Sequence, residues 1–335
     1  MVSLLAGDAV LPFRGDVIKL NRPQRRRLID IAGWRQLAEH IRWINPDIVQ
    51  ANAGDTLKFA VFSKLFFQWK APIVFRNANK VSDFLHSTPQ FIFNKFLVSR
   101  VSHVISVSDL CRQDFIKTYS LDATKTITVP GGIELEVLGD SVPDDLKHVF
   151  ASGDTLVNVA SFVPEKNHSG LLRIMKRLLE YDTNLKLLLI GDGKLKSHIE
   201  QQVLDMNLSD HVFFAGYRND VLSIVRKAKA LILPSLIEGL PAVILEAMYC
   251  RTPVISYDVG GIPEILKLNE TGWLVKKGNE EAFAAAVRDA LTSAYTETIK
   301  AKAYDLVVRE YNNRTISRRF FDVYRSVIHL NEKGN

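Results

Sequence analysis

The segment PSLIEGLPAVILEAMYC, residues 234–250, has a strand–turn–helix pattern that is typical of an α/β fold. The apolar run KALILP at its start predicts a short buried strand, and Pro241 lies where proline is tolerated at the start of a helix. Two acids, Glu238 and Glu246, lie in the turn and in the first helical turns. In an α/β sheet, ligands bind beyond the carboxyl ends of the strands, and the free N–H groups of a helix start favour a phosphate there.

The same alternation of strand and helix runs through the rest of the chain. Strand-like apolar runs include PDIVQAN (46–52), SHVISVS (102–108), LKLLLIG (185–191) and TPVISYD (252–258). Amphipathic helical patterns lie between such runs, and this alternation predicts parallel sheets that are covered on both faces. We therefore expect an α/β fold of two doubly wound, Rossmann-like domains that face each other across a cleft.

The expected domain boundary lies in a weakly periodic, acid-rich segment at 132–154. We predict an N-terminal, acceptor-side domain over 1–140, a C-terminal, nucleotide-sugar-binding domain over 141–310, and a C-terminal helix over 311–335 that packs back toward the first domain. A chain of 335 residues is long enough to form two cores.

The composition argues against several classes of protein. A hydrophobic content of 47% with 24% charged residues is typical of a globular protein, and no uncharged apolar run is long enough to predict a transmembrane span. The two cysteines, Cys111 and Cys250, are far apart and lack metal-ligand spacing. They predict a reducing, cytoplasmic location without a disulfide framework, and no metal site.

The chain is basic, with a net charge of +6. Its densest cluster consists of Arg22, Arg25, Arg26 and Arg27. This cluster precedes a segment of helical periodicity that contains Trp34 and Trp43. Two interpretations are open: a solvated helix start on a helix that packs against its own sheet, or a contact with anionic lipid at the inner face of the membrane. No recognised nucleic-acid motif accompanies the charge, so no nucleic-acid partner is expected.

Five loops of similar chemistry follow five successive strands of the second predicted domain. They are SFVPEKNHSGLL, IGDGKLK (190–196), GYRNDV (216–221), PSLIEGLP and DVGGIPEI (258–265). A single Gly-Asp-Gly is usually a tight turn. Five glycine-containing or charged loops at the ends of parallel strands instead predict a nucleotide-type binding site.

These residues resemble the retaining glycosyltransferases of the GT-B group known as family 4. The hallmark of that family, two acids separated by seven residues, is Glu238-x7-Glu246 in this chain, and the resemblance continues through VASFVPEKNH, LLLIGDGKL and VFFAGYRNDV. It implies transfer of a hexose or related sugar from a UDP- or GDP-linked nucleotide sugar to a polysaccharide or lipid-linked saccharide, with retention of configuration. It also implies that neither a metal nor another cofactor is needed.

The resemblance implies a role for each residue of the site. Glu238 would orient the transferred sugar, Lys166 would neutralise the diphosphate, and Glu246 would bind the ribose hydroxyls. Asn52 and Arg76 would lie on the acceptor side. The other donor-binding residues that it implies are Ser235, Gly239, Leu240, Pro241, Ala242, Gly191, Gly193, Tyr217, Arg218, Gly260, Gly261 and Glu264.

Three features depart from the family pattern. No strand, glycine-rich loop and helix precede VSLLAGD, so the first domain is expected to be incomplete, with unpaired strand edges, and Met1 to be an internal start or the start of a fragment. Ser161 stands where the family often has arginine, and Asn52 where it often has histidine. Because asparagine is no general base, the leaving phosphate would take the acceptor proton.

Other interpretations stay open at this point. The chain could be a non-catalytic nucleotide-sugar-binding remnant or partner subunit, or it could have another GT-B activity, such as that of an epimerase or a phosphorylase. Glu246 could be a helix-start acid favoured by the helix dipole, and Lys166 could form an exposed ion pair. Asn167 and His168 are expected to order their loop and to take no part in the chemistry.

Overall fold

The computed structural model describes residues 1–5, 15–23, 29–135, 139 and 141–333. It consists of two compact units. The first comprises Met1–Val107, Cys111–Val129 and Arg319–Asn335, and the second comprises Ser108–Leu110 and Pro130–Arg318. The division after Val129 comes before the predicted boundary at residue 140.

Backbone hydrogen bonds of Ile133 explain why the second unit begins before residue 140. The N–H of Ile133 donates to the carbonyl oxygen of Tyr311 at 2.9 Å, and the N–H of Asn313 donates to the carbonyl oxygen of Ile133 at 2.9 Å. These bonds attach the acid-rich segment to residues of the second unit.

The first unit is built from parallel strands that alternate with helices. Its strands are β1 (Val2–Leu5), β2 (Ile18–Arg22), β3 (Val49–Asn52), β4 (Ile73–Asn77), β5 (His103–Ser106) and β6 (Thr126–Thr128). The helices of this part of the chain are α1 (Ile31–Ile44), α2 (Gly54–Phe67), α3 (Thr88–Val98) and α4 (Asp109–Tyr119). β1 pairs with β2, and β3, β4, β5 and β6 form a separate four-stranded sheet in that order.

The two sheets of the first unit are not continuous. Among the described strands, β1 pairs only with β2 and β3 pairs only with β4. A cavity of about 300 Å³ lies between them, lined by Val2 and Leu4 of β1 and by Val49 and Ala51 of β3. One edge of β1 and one edge of β3 therefore have no strand partner within the described part of the chain.

The second unit is a parallel sheet covered by helices on both faces. Its strands are β7 (Asp154–Val159), β8 (Leu185–Ile190), β9 (Val212–Gly216), β10 (Ala230–Leu233), β11 (Val254–Tyr257) and β12 (Trp273–Val275). Its helices are α5 (Lys147–Ala151), α6 (His168–Leu179), α7 (Lys196–Asp205), α8 (Val221–Lys227), α9 (Ala242–Tyr249), α10 (Ile262–Ile265), α11 (Glu280–Thr292) and α12 (Thr296–Glu310); α13 (Asn313–Lys333) follows. Both units thus confirm the predicted α/β class with parallel sheets.

The order of strands in the second sheet decides where a ligand site can form. The order is β12-β11-β10-β7-β8-β9, so the chain proceeds in opposite directions from β7 and from β10. In sheets of this kind, a crevice opens at the carboxyl ends of the two strands where the direction changes. The loops that follow β7 and β10 flank this switch point.

Candidate functional site

The loops after β7 and β10 are held together by hydrogen bonds. The side chain of Asn167 accepts from the N–H of Gly170 at 3.3 Å and donates to the carbonyl oxygen of Pro234 at 3.0 Å. The N–H of Leu236 donates to the carbonyl oxygen of Glu165 at 2.7 Å. Asn167 thus caps α6, as predicted, and also fixes the distance between the two loops.

Lys166 and Glu238 meet at this junction. The Lys166 ammonium lies 2.6 Å from Oε1 of Glu238, although the two residues are far apart in sequence. The Glu238 side chain is 6% exposed and that of Lys166 is 24% exposed, so the carboxylate is buried while the ammonium still reaches solvent. The alternative of an exposed, inconsequential ion pair is wrong for Lys166, because its partner is buried.

The loop after β11 packs against the turn that contains Glu238 and Gly239. The N–H of Gly261 donates to the carbonyl oxygen of Gly239 at 2.6 Å. Gly260 has a φ of +56°, and a Cβ there would overlap the carbonyl oxygen of Glu238. Only glycine satisfies both the backbone angle and this close approach. Gly260 therefore supports the backbone that carries Glu238.

We expect Gly260→Ala to destabilise the second unit by at least about 3 kcal/mol, because a methyl group has no room beside the Glu238 backbone. Gly278→Ala is the matched control, since Gly278 also has a positive φ (+81°) but lies in open space. The control should cost only the backbone strain, about 1 to 2 kcal/mol. Urea unfolding of both variants measures the difference, and equal losses would contradict the steric argument.

Gly191 and Gly193 serve a similar purpose between the loops that follow β7 and β8. Their φ angles are +141° and +157°. A Cβ at Gly191 would overlap the carbonyl oxygen of Ala160, and a Cβ at Gly193 would crowd Phe162. The structure thus gives these two glycines a role in packing one loop on the other. An approach to a bound donor, as the resemblance implies, stays a prediction.

Glu246 lies on α9 and is partly buried. Within the described part of the chain, its carboxylate makes no hydrogen bond or ion pair, and burial raises its pKa above the ordinary glutamate value. A helix-start acid would lie in the first turn, whereas Glu246 is the fifth residue of α9 and cannot serve in that way. The unpaired carboxylate is instead available to accept hydrogen bonds from a ligand.

Tyr217 and Arg218 differ in their freedom to contact a ligand. The Tyr217 side chain is highly exposed, at 79%. The Arg218 guanidinium forms ion pairs with both Asp145 and Asp220, and these carboxylates raise the pKa of Arg218. Tyr217 is therefore free to stack on a planar group, while Arg218 is held in place by two acids.

The remaining residues that were predicted to bind the donor lie around the turn that carries Glu238. Leu240 and Pro241 lead into α9, which begins at Ala242, so the free N–H groups of its first turn face away from the helix body. The Ser235 hydroxyl is fully buried and has no hydrogen-bond partner in the described part of the chain. Glu264 already has partners, because its carboxylate accepts from the N–H groups of Asp109 and Leu110 at 2.9 and 2.8 Å.

His168 is an unusual feature of this region. Its ring stacks on Phe162 with 4.2 Å between the centroids, and both ring nitrogens are buried without a hydrogen-bond partner among the described residues. Burial, with a smaller effect of the Lys166 charge, lowers the pKa of His168 to about 4. The imidazole is thus neutral near pH 7 and packs as an aromatic ring.

The low pKa of His168 predicts a loss of stability in mild acid. The unfolded chain binds a proton at the ordinary histidine pKa, near 6.5, while the folded chain resists it until about pH 4. Stability should therefore fall as the pH drops through this window. His168→Phe should reduce that fall, and His198→Gln, at an exposed histidine, should not. Thermal unfolding from pH 7 to pH 4 measures this, and parallel curves for all three proteins would refute it.

The predicted acceptor-side residues lie in the first unit. The Asn52 side-chain oxygen accepts from Nε2 of Gln50 at 2.9 Å, on an exposed strand end. The Arg76 guanidinium donates to the carbonyl oxygen of Val129 and lies 4.7 Å from the ring centroid of Phe320, and burial lowers its pKa to about 10. Arg76 is therefore engaged in packing α13, while Asn52 remains accessible.

A second cavity of the first unit lies beside the start of α2. It has a volume of about 190 Å³. Its lining is mostly apolar and includes Leu57, Phe75 and Phe115, with Asn77 and Asn79 among the polar residues. This cavity was not predicted from the sequence, because its walls come from α2, α3, α4 and β4 together.

A membrane contact at the arginine cluster, one of the two open interpretations, is not supported. Arg25, Arg26 and Arg27 lie outside the described residues. Arg22 forms a two-fold hydrogen-bonded ion pair with Asp30, each bond 2.7 Å, and its side chain is 18% exposed. Trp34 is 5% exposed, so of the two tryptophans only Trp43, at 81%, reaches the surface. Arg22 and Trp34 therefore serve the internal packing of α1.

The described residues contain neither a cluster for a metal ion nor a helix that could span a membrane. No group of three or more histidine, cysteine or acidic side chains in the described ranges is arranged to hold a metal ion. Within the same ranges, no helix combines the length and the hydropathy that crossing a bilayer requires.

Comparison with known proteins identifies the fold class and the family of this chain. The crystal structure of Anabaena Alr3699/HepE in complex with UDP-glucose superposes with a TM-score of 0.80 and 20% identity, over 93% of this chain and 85% of that chain. The class is thus that of GT-B proteins with two Rossmann-like units. A family model described as glycosyl transferases group 1 matches residues 147–305, and one described as glycosyltransferase family 4 matches residues 5–137. Because the two models together match most of the chain, it belongs to the group 1 glycosyltransferases.

The chain is also similar to two named glycosyltransferases. The N-acetylgalactosamine-N,N'-diacetylbacillosaminyl-diphospho-undecaprenol 4-alpha-N-acetylgalactosaminyltransferase of Campylobacter jejuni is 28% identical over 230 residues, which are 64% of this chain and 61% of that protein. The UDP-Gal:alpha-D-GlcNAc-diphosphoundecaprenol alpha-1,3-galactosyltransferase of Escherichia coli is 26% identical over 200 residues, 57% of this chain and 52% of that protein. The chain thus spans about half to three fifths of the length of these relatives.

Proposed function

We propose that this chain transfers a sugar from a UDP- or GDP-linked nucleotide sugar to a saccharide or lipid-linked saccharide acceptor, with retention of configuration. The ion pair of Lys166 and Glu238 at the switch point of the second sheet carries the proposal. It places a buried carboxylate and a solvent-reaching ammonium side by side, next to the start of α9. Such a pair matches the opposite charges that develop when a glycosyl–phosphate bond breaks.

The donor would occupy the crevice beyond β7 and β10. Lys166 and the free N–H groups at the start of α9 would bind the diphosphate, since both attract anions. The Glu246 carboxylate, which has no partner in the described part of the chain, would accept hydrogen bonds from the ribose, and these would offset the cost of burying it. The exposed ring of Tyr217 would stack on the base.

The transfer step follows from these positions. The bond between the anomeric carbon and the phosphate oxygen breaks while the acceptor hydroxyl oxygen bonds to the same carbon. Glu238 would stabilise the positive charge at that carbon, and Lys166 the negative charge on the leaving diphosphate. The acceptor proton passes to the departing phosphate oxygen, because Asn52 cannot act as a base.

The acceptor is proposed to contact the first unit, where Asn52 is exposed beside the start of α2. The apolar cavity of about 190 Å³ in the same unit would take an apolar part of the acceptor, because its lining offers few free hydrogen-bonding groups. The names of the Campylobacter jejuni and Escherichia coli relatives refer to acceptors linked to diphospho-undecaprenol, which supports a lipid-linked acceptor.

The proposal is tested by incubating the chain with radiolabelled UDP- and GDP-sugars and measuring nucleoside diphosphate release with and without a lipid-linked saccharide. We expect release with one of the two nucleotides, stimulated by acceptor, and an α-linked product from an α-linked donor by NMR. Lys166→Met should lower the rate of release about a hundred- to a thousandfold, and Lys176→Met, at an exposed lysine of α6, should leave it unchanged.

The outcomes separate the alternatives. Tight binding of a nucleotide sugar without any release, even by slow hydrolysis, would identify a non-catalytic binding protein. Release with inversion at the anomeric carbon would refute retention while leaving the donor site intact. An absorbance band of pyridoxal phosphate in the purified protein would instead indicate a phosphorylase.

A further inference from the structure

The first unit carries an exposed aromatic surface on α2 and α3. We define the aromatic patch as Phe62, Leu65, Phe66, Ile92, Phe93 and Phe96. On each helix the three residues are spaced so that they share one face. The exposed fractions are 61% for Phe66, 61% for Ile92 and 40% for Phe93. A helix of a globular protein normally presents polar residues to water, so this surface is unusual.

Ring contacts join the aromatic patch into one surface. Phe62 lies 6.1 Å from Phe93 and 6.4 Å from Phe96 between ring centroids, which connects α2 with α3. The buried Trp34 stacks on Phe62 at 5.1 Å and on Phe66 at 5.4 Å. The rings of the patch therefore form one continuous surface, and the buried Trp34 packs against it from the protein interior.

Basic residues lie on the same two helices as the aromatic patch. Lys64 is in the second half of α2 and Lys95 is in α3. Lys95 and Arg100 are exposed on or just after α3, and the Arg100 guanidinium lies 5.1 Å from the Phe96 ring centroid. Neither α3 nor the second half of α2 contains an acidic residue. On these helix segments, exposed rings and cations thus lie together, and the segments contain no acidic side chain that would neutralise the cations.

We propose that the aromatic patch binds the surface of an anionic phospholipid membrane. Aromatic rings enter the boundary between head groups and acyl chains, and neighbouring cations are attracted to anionic head groups. A second copy of the chain fits the patch less well, because a symmetric contact would bring its uncompensated cations face to face. The proposal concerns only the first unit and does not depend on the function of the donor site.

Vesicle sedimentation tests the proposal with the full chain. We expect binding to vesicles of phosphatidylcholine that contain about 30% phosphatidylglycerol, little binding to pure phosphatidylcholine, and release by salt. Phe66→Ser/Phe93→Ser should weaken binding at least about tenfold, since two rings no longer leave water. Lys95→Glu/Arg100→Glu should weaken it by at least about twentyfold, because each cation is replaced by an anion.

Matched controls lie in the second unit. Tyr181→Ser/Tyr295→Ser removes two exposed aromatic rings, and Lys176→Glu/Lys277→Glu reverses two exposed charges, so both should bind vesicles as the parent does. The charge variants leave the apolar packing intact, and melting temperatures show whether each protein is folded. Patch variants that bind like the parent, or a parent that binds neither kind of vesicle, would overturn the proposal. So would light scattering that shows a dimer dissociated by the patch variants, because the patch would then join two copies.

Discussion

Lys166→Met is expected to lower the rate of sugar transfer about a hundred- to a thousandfold, which is the cost of removing one preorganised group that stabilises developing charge. The loss should appear in kcat, because the diphosphate is most negative as the glycosyl bond breaks. The measurement is steady-state release of the nucleoside diphosphate at saturating donor. An unchanged kcat with a raised KM would show that Lys166 only binds the donor.

The same substitution should also destabilise the fold, because it leaves the buried Glu238 carboxylate without its partner. With a Lys166 side chain that is 24% exposed, we expect a loss of about 2 to 3 kcal/mol, less than for a fully buried pair. Lys166→Met/Glu238→Met removes both charges and should return to within about 1 kcal/mol of the parent. This double variant separates the two effects, since it should be folded and inactive. If activity returned with stability, the pair would have a structural role alone.

Glu246→Gln is expected to weaken nucleotide binding about ten- to a hundredfold, because a charged hydrogen-bond acceptor is replaced by a neutral one. Calorimetric titration with UDP and GDP measures the change. Glu281→Gln, at an exposed acid in the first turn of α11, is the control and should leave binding unaltered. Equal affinity in Glu246→Gln and the parent would refute the ribose contact.

The same variant should gain stability at neutral pH, in the direction opposite to its effect on binding. Burial raises the pKa of Glu246 in the folded chain, so the folded state holds its proton more tightly than the unfolded state. The resulting stabilisation is present below the ordinary glutamate pKa and is lost as the pH rises through the folded pKa. Glu246→Gln should therefore melt about 1 to 3 °C higher than the parent at pH 7, with little difference near pH 4. A lower melting temperature at pH 7 would show that the carboxylate has a stabilising partner.

The sequence predicted the α/β class and the loops of the second unit because both depend on short-range patterns. In strands such as Leu185–Ile190 every residue but Lys186 is apolar, and Pro241 directly precedes α9, where proline is favoured. The spacing of Glu238 and Glu246 is likewise local. Such features follow from the period of the side chains and from the backbone preferences of proline and glycine, which need no knowledge of distant contacts.

Other features involve partners that are distant in the chain, and the sequence could not supply them. Arg218 forms ion pairs with Asp220 and with Asp145. The first pair could be predicted because the two residues are close in sequence, but the second could not, because Asp145 lies on a distant segment. The Glu264 carboxylate accepts hydrogen bonds from the backbone at Asp109 and Leu110, which lie about 150 residues earlier in the chain. A lipid contact was one of two open interpretations of the arginine cluster, yet Arg22 is paired with Asp30.

By itself, the sequence determined that the chain forms parallel α/β sheets, that glycines and acids follow successive strands, and that the second unit has a family-like pair of acids. Three other features became visible only in the folded chain: Lys166 lies 2.6 Å from Glu238, Glu246 has no partner among the described residues, and rings from α2 and α3 form one exposed surface. The physical reason is that charge, burial and exposure depend on which elements pack together. Strand order in the sheet sets that packing, and side-chain periodicity along one segment carries no information about it.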